Sequence, residues 1–220
     1  MRAVMGELVP EFERATGHQV EASYDPAQII LRRIAGGETP DLIICGASAL
    51  EEMAKQGKIV AGTSRPVARC GVGLAVRTGA PKPDISSVEA FKRTLLNAKS
   101  VAYTQEGASG IHFAGLIERL GIAEQMKTRS VRQPGGLVGE LVAAGKAELA
   151  VQQIPELMAV PGVELVGPLP QEVQATTESA AAVFAGSSQP AAARAFLEFL
   201  FTPASARVLK AKGLDPEAQG

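Results

Sequence analysis

The chain has 220 residues, of which 46% are hydrophobic and 20% charged, and its formal net charge is −1. A chain of this length and composition is an ordinary globular protein with room for one large domain or two small lobes. The balanced charge argues against nucleic acid as a partner, and no run approaches the roughly 18 apolar residues of a membrane-inserted helix.

Short apolar runs alternate with helical stretches along the chain, which is the pattern of a layered α/β fold. A first helix that includes residues 7–12 ends at Gly17, where glycine suits a left-handed cap. Strands are predicted at residues 18–24, 42–45, 70–79, 100–103, 148–153, 163–170 and 179–186. The other helices are predicted at residues 25–35, 49–56, 88–98, 109–120, 137–144, 190–201 and 203–213.

One junction recurs: an apolar strand, a turn of small residues and then the start of a helix. It is found at residues 46–48, 107–110 and 134–136, with a bulkier version at residues 24–26. In open α/β sheets, ligands bind beyond the carboxyl ends of strands. Helix N-termini there carry unpaired N–H groups and a partial positive charge, so these junctions predict a site for a small anion.

Few residues favour catalysis or metal binding. Cys45 and Cys70 match no metal-ligand spacing, which favours buried free thiols over a disulfide and predicts neither a metal nor a cofactor. The chain contains no motif of a nucleophilic or nucleotide-binding enzyme. Glu106 and His112 are weak candidates for a general base, and a lone histidine at the start of a helix is more often structural.

Five segments together resemble the molybdate-binding-protein-like branch of the periplasmic solute-binding proteins, and they cover nearly the whole chain. They read RRIAGGETPDLIICGAS, GKIVAGTSRPVARCGVGLAVRTGAPKPDISSVEAFKRTLLNAKSVAYT, GIHFAGLIERLGI, ELVAAGKAELAVQQIPEL and PAAARAFLEFLFTPASARVLKAKGL. The resemblance implies a two-lobe type II periplasmic-binding fold that closes over a ligand in the interlobe cleft. The discontinuous first lobe would comprise residues 1–76 and 182–220 and the second lobe residues 77–181, with crossover strands near residues 74–76 and 180–183.

The resemblance also implies which residues bind the ligand. These are Asp25, Gln28, Ala47, Ser109, Gly110, Gly135 and Gln153. Ser109 could equally be the N-cap of its helix. Two departures from the family bear on the ligand: Gln153 replaces a tyrosine, and Asp25 would repel a dianion. A small carboxylate is therefore an alternative to a molybdate-like oxyanion, with charge balance from Arg32, Arg33 or Arg132.

Three functions fit the resemblance. The first is a solute-binding protein that captures a small anion and delivers it to the permease of an ABC-type transporter. The second is an isomerase of a small tricarboxylate of the aconitate type, with Glu106 or His112 as the base. The third is the effector-sensing domain of a regulator, which the lack of a helix-turn-helix disfavours.

The start of the chain carries two further expectations. Family members begin with a strand that this sequence lacks, and a missing central strand would leave an open sheet edge. We therefore expect a strand-swapped dimer or a dimer with a partner strand. A leader removed before residue 1 would make the protein periplasmic, and otherwise it would be cytoplasmic.

Overall fold

A computed structural model describes residues 1–25 and 27–217 of the chain, apart from the side chains of residues 27 and 28. The helices are α1 (Arg2–Thr16), α2 (Ala27–Ala35), α3 (Ala47–Lys55), α4 (Val88–Asn97), α5 (Ala108–Arg119), α6 (Ala123–Met126), α7 (Gly139–Ala143), α8 (Ile154–Met158), α9 (Pro190–Phe199) and α10 (Pro203–Ala211). The strands are β1 (Leu42–Gly46), β2 (Arg65–Arg77), β3 (Val101–Thr104), β4 (Ser130–Gln133), β5 (Leu149–Gln153), β6 (Val163–Pro168), β7 (Thr176–Val183) and β8 (Asp215–Pro216).

The chain divides into two compact units. Unit 1 contains residues 1–69 and 177–220, and unit 2 contains residues 70–176. The chain passes from one unit to the other within β2 and again within β7. The first unit is therefore built from both ends of the chain and the second from its middle.

Unit 2 is built on a mixed sheet in the order β6, β2, β5, β3, β4. Strand β3 is parallel to both β4 and β5, whereas β2 is antiparallel to β5. All four residues of β3 and the first four of β5 are buried, because helices cover both faces of the sheet. Phe91 of α4 and Phe113 of α5 are fully buried on one face, and Val142 of α7 is buried on the other.

Unit 1 pairs β1 with β7 in antiparallel register, from Leu42 opposite Val183 to Gly46 opposite Ser179. Helices α2 and α3 contribute Ile34, Leu50 and Met53 to a core against these strands. A second layer joins α1 to α9, where the rings of Phe12 and Phe196 meet edge to face with centroids 4.8 Å apart. These contacts bring the two ends of the chain into one core.

The strand predicted at residues 18–24 is wrong, because this segment forms no regular structure. Its alternating residues suit a strand, but a strand requires a neighbour that accepts its backbone hydrogen bonds. Within the described part of the chain, β1 pairs with β7 alone and its other edge has no partner. The amide of Val20 bonds instead to the Glu13 carboxylate at 2.8 Å.

An open groove of about 1010 Å³ in unit 1 lies beside that unpaired edge. It is lined by residues 18–25, by β1 and by parts of α1, α2 and α9. The groove thus occupies the space between the irregular segment and the strand it would otherwise approach. The dimer expected from the sequence stays a prediction, which sedimentation equilibrium can test.

Candidate functional site

Three parallel strands of unit 2 end at the same edge of its sheet. Residues Thr104 of β3 and Gln133 of β4 lie opposite each other in the register, and β5 runs alongside through the pairing of Ala102 with Ala150. Because parallel strands carry their carboxyl ends to one edge, the segments after them also meet there. They are the turn into α5, the loop at residues 134–138 and the start of α8.

The start of α5 offers unpaired backbone donors. Its N-cap is Gly107, with no side-chain cap, and the first amide to bond within the helix is that of Ile111, at 2.9 Å from the Gly107 carbonyl oxygen. The amides of residues 108–110 consequently have no acceptor within the helix. These amides lie at the N-terminus of a 12-residue helix, and the helix dipole places partial positive charge at this end.

Ser109 is the second residue of α5 and not its cap, so the capping role considered from the sequence is wrong. The residue is 5% exposed. Its hydroxyl oxygen keeps some contact with solvent and makes no hydrogen bond to any described residue. A hydroxyl without a partner, in a buried residue beside free amides, has the donor chemistry that an anion requires. The candidate role of Ser109 in ligand binding therefore fits its environment.

Two glycines let the first turn of α5 lie directly against the end of β3. A β-carbon placed on Gly110 would lie 1.8 Å from the carbonyl oxygen of Thr104, and one placed on Gly107 would lie 2.5 Å from the Thr104 hydroxyl. Neither glycine has a positive φ. Both positions therefore require glycine because Thr104 lies too close for a β-carbon. Their backbone conformation would accept other residues.

The loop at residues 134–138 is held in place by Gln152, a β5 side chain that is 2% exposed. Its Nε2 donates to the Gly136 carbonyl at 2.7 Å, and its Oε1 accepts from the Val138 amide at 2.9 Å. Gly136 has a φ of 86°, which favours glycine, whereas the neighbouring Gly135 has open space around its Cα. The candidate Gly135 thus lies in a loop whose backbone is held by the side chain of Gln152.

The end of β5 contains a polar cluster that the sequence analysis only partly identified. Gln153 is half-buried, and its Oε1 accepts a hydrogen bond from the thiol of Cys70 at 3.6 Å. Glu156, in the first turn of α8, is the residue that was missed; burial raises the pKa of its carboxyl, and hydrogen bonds from the Gln153 backbone and the Gln152 side chain act in the opposite direction. In the sequence, Glu156 is the acid in QQIPEL, three residues after the strand ends, and this position was the signal that could have identified it.

The two weak base candidates differ in their surroundings. The Nε2–H group of His112 donates to the Val173 carbonyl at 2.8 Å, so that nitrogen is engaged in a structural contact. Glu106 is exposed, and its amide bonds to the Pro134 carbonyl at 3.2 Å. That amide bond ties the turn before α5 to the neighbouring loop.

The other sequence candidates belong to unit 1. Asp25 forms an ion pair with Arg33, which also binds Glu38 with Nε 2.5 Å from Oε2. The pKa of Arg33 is raised above its ordinary value, mainly by the hydrogen bond to Glu38 and secondly by the one to Asp25. The negative charge of Asp25 is thus paired, so the repulsion of an anion expected from the sequence is weaker than its charge suggests. Ala47 is the first residue of α3, and the side chain of Gln28 lies outside the described residues.

Three further features of the described residues concern metal sites, membrane-spanning helices and reactive thiols. No group of three histidine, cysteine or acidic residues there could hold a metal ion. Within the same part of the chain, no helix has the length and apolar character to cross a membrane. Cys45 and Cys70 are free thiols, and burial raises the pKa of each to about 11.

A family model described as bacterial extracellular solute-binding protein matches residues 1–215. The chain belongs to this family. Among curated relatives, the aconitate isomerase of a Pseudomonas species is 35% identical over 216 residues, covering 96% of this chain and 82% of that protein. The molybdate-binding protein ModA of Azotobacter vinelandii is 26% identical over 225 residues, covering 96% of this chain and 84% of that protein.

Solved structures agree on the fold. The periplasmic molybdate-binding protein of Azotobacter vinelandii matches with a TM-score of 0.75 and 17% identity, over 96% of this chain and 93% of that one. The predicted fold class, an α/β fold of the two-lobe type II solute-binding proteins, is confirmed, and so is the resemblance inferred from the sequence.

Proposed function

We propose that this member of the solute-binding family captures a small anion and delivers it to the permease of an ABC-type transporter. The observation that carries this proposal is the start of α5, where three unpaired amides, the Ser109 hydroxyl and the positive end of the helix dipole coincide. These groups are donors without net charge. They therefore favour an anion and would bind it without a buried ion pair.

The loop at residues 134–138 completes the unit 2 part of this proposed site. Gly135 lies at the same sheet edge, and its open surroundings leave its backbone accessible. Gln152 below the loop fixes the backbone by two hydrogen bonds, so little ordering remains to be done when a ligand binds. Gln153 stands where the resemblance implies a tyrosine.

Two classes of ligand are compatible with these donors. One is a small di- or tricarboxylate, supported by the 35% identity to an aconitate isomerase. The other is a tetrahedral oxyanion, supported by the more distant molybdate-binding relative. We favour the carboxylate because the relative with the higher identity acts on one. In keeping with its family, we place the protein in the periplasm.

Thermal stabilisation by ligands tests this proposal. Citrate, cis-aconitate, trans-aconitate, molybdate and sulfate are each added at 1,000-fold above an expected dissociation constant of about 1 μM, where mass action adds about 4 kcal/mol. The proposal fails if none of them raises Tm. Ser109→Ala should weaken the response with little change in the Tm of the free protein, because Ser109 does not cap its helix.

A serine in unit 1 serves as a crossed control. Ser205 is fully buried, and its hydroxyl donates to the Phe199 carbonyl at 2.7 Å. Ser205→Ala should therefore lower the Tm of the free protein. The rise in Tm on adding the ligand should stay the same as in wild type. The opposite pattern in the two variants would contradict the assignment of the site to α5.

We propose isomerase activity as the second candidate function, since the relative with 35% identity is an aconitate isomerase. Such a reaction needs one base that takes a proton from the carbon acid and returns it elsewhere on the substrate. Glu156 suits this role better than His112, since burial raises the pKa of its carboxyl and His112 is engaged in a structural hydrogen bond.

Proton exchange distinguishes the two functions. An isomerase would incorporate deuterium into cis- or trans-aconitate in heavy water and interconvert them, and Glu156→Gln would abolish both effects while ligand binding persists. A binding protein would stabilise on ligand addition with no exchange above background. Exchange that survives Glu156→Gln but is lost in Glu106→Gln would transfer the role to Glu106.

A further inference from the structure

The hydroxyl of Thr104 is an exception to the rule that buried polar groups are hydrogen-bonded. Thr104 is 3% exposed, and its Oγ1 is the one buried side-chain nitrogen or oxygen in the described residues that has no hydrogen-bond partner. An unsatisfied buried hydroxyl destabilises the folded state, so its presence calls for a physical explanation. Valine has nearly the same shape and would fill this position without an unpaired polar atom.

The position of this hydroxyl supplies the explanation. Oγ1 lies 2.5 Å from the point where Gly107 would carry a β-carbon and 2.6 Å from the corresponding point on Gly110. It therefore faces the first turn of α5, the turn that carries the unpaired amides. Gly107 is partly exposed, so solvent reaches the residue that lies over the hydroxyl.

Three kinds of unused donor thus converge on one helix turn: the backbone amides of residues 108–110, the Ser109 hydroxyl and the Thr104 hydroxyl. They come from two elements, β3 and α5, and each kind lacks an acceptor among the described residues. One negatively charged group with several oxygen atoms would satisfy all of them at once. Because neither glycine carries a β-carbon, the Thr104 hydroxyl lies directly against the helix turn that holds these donors.

We propose that Thr104 is a ligand-binding residue whose hydroxyl donates to the anion held at the start of α5. This inference rests on the proposed function and adds to it a contact from the strand below the helix. The shared chemistry is an oxygen-rich anionic group, which either a carboxylate or a tetrahedral oxyanion supplies. The hydroxyl is unpaired in the free protein and becomes paired when the ligand binds.

This arrangement predicts opposite effects on stability and affinity. Thr104→Val removes the unpaired hydroxyl and keeps the shape, so the Tm of the free protein should stay the same or rise. The affinity for the anion should fall by about 10- to 100-fold, the usual worth of a hydrogen bond to a charged group. Thr104→Ser should keep the affinity within about threefold of wild type, since it retains the hydroxyl.

The experiment measures the dissociation constant by isothermal titration calorimetry and the Tm of the free protein for wild type and each variant. Citrate, trans-aconitate and molybdate are titrated separately, so that the carboxylate and oxyanion sources are distinguished. Thr104→Ala serves as a second hydroxyl-free variant should Thr104→Val fold poorly, and it should show the same loss of affinity. Loss of affinity without loss of Tm in the valine variant supports the proposal.

Three results would overturn it. If Thr104→Val lowers the Tm of the free protein and leaves the affinity unchanged, the hydroxyl is satisfied by buried water and its role is structural. If wild type binds none of the three probes, the proposed function fails and this inference fails with it. Binding by wild type together with unchanged binding by both hydroxyl-free variants refutes the Thr104 assignment alone.

Discussion

Replacing Gly110 with alanine tests the packing on which the candidate site depends. The added β-carbon would lie 1.8 Å from the carbonyl oxygen of Thr104 and 2.6 Å from its Oγ1. The nearest atom belongs to the backbone of β3, which the pairing of Thr104 with Gln133 of β4 holds in the sheet. The first turn of α5 must therefore move outward.

The size of that movement sets the expected cost. It is about 1.2 Å, the difference between 1.8 Å and the 3.0 Å below which real β-carbons are essentially never found. Overpacking of this kind typically destabilises by about 1–3 kcal/mol, and the better helix propensity of alanine offsets up to about 1 kcal/mol of it. With the full offset the net cost is at most about 2 kcal/mol, so for a chain of this length we expect Tm to fall by up to roughly 8 °C.

Gly115 provides the matched control, because it belongs to the same helix and no atom lies within 4 Å of the position that its β-carbon would take. Gly115→Ala should raise stability by about 0.5–1 kcal/mol through helix propensity alone. Both variants are compared with wild type by calorimetry, with and without the anion. A Gly110→Ala protein as stable as Gly115→Ala would refute the close contact between α5 and β3.

Three other predictions follow from individual contacts. Gln152→Leu leaves a buried amide and a carbonyl of the 134–138 loop without partners, so the free energy of unfolding in urea should fall by about 2–4 kcal/mol; a loss below about 0.5 kcal/mol would contradict these bonds. Asp25→Asn breaks only a half-exposed ion pair with Arg33, so it should change that free energy by less than about 1 kcal/mol, and by even less in 1 M salt. Because burial raises the pKa of Cys45 and Cys70 to about 11, iodoacetamide should modify native thiols slowly near neutral pH. The unfolded thiols ionise first, so stability should fall as pH rises from about 9 to about 11, a slope that replacing both cysteines by alanine should remove.

Local chemistry explains why much of unit 2 could be predicted. The strand observed at Val101–Thr104 and the helix at Ala108–Arg119 lie within a residue of the predicted bounds. Apolar runs, glycine-containing turns and helical periodicity are encoded by neighbours in sequence. The same reasoning identified the junctions at residues 107–110 and 134–136, whereas the choice of Ser109, Gly110 and Gly135 within them came from the family resemblance.

What the sequence by itself determined was therefore most of the longer elements, the strand-to-helix junctions and the family, whereas the short elements β4, β8, α6 and α8 were not predicted. Only the tertiary structure decided which partners each residue has. The strand predicted at residues 18–24 does not form, because alternation describes a strand but a neighbouring edge must pair with it. The charge of Asp25 is paired by Arg33 from the next helix, and the hydroxyl of Thr104 is left unpaired under two glycines. Hydrogen bonds and burial depend on distances in space, which spacing along the chain does not specify.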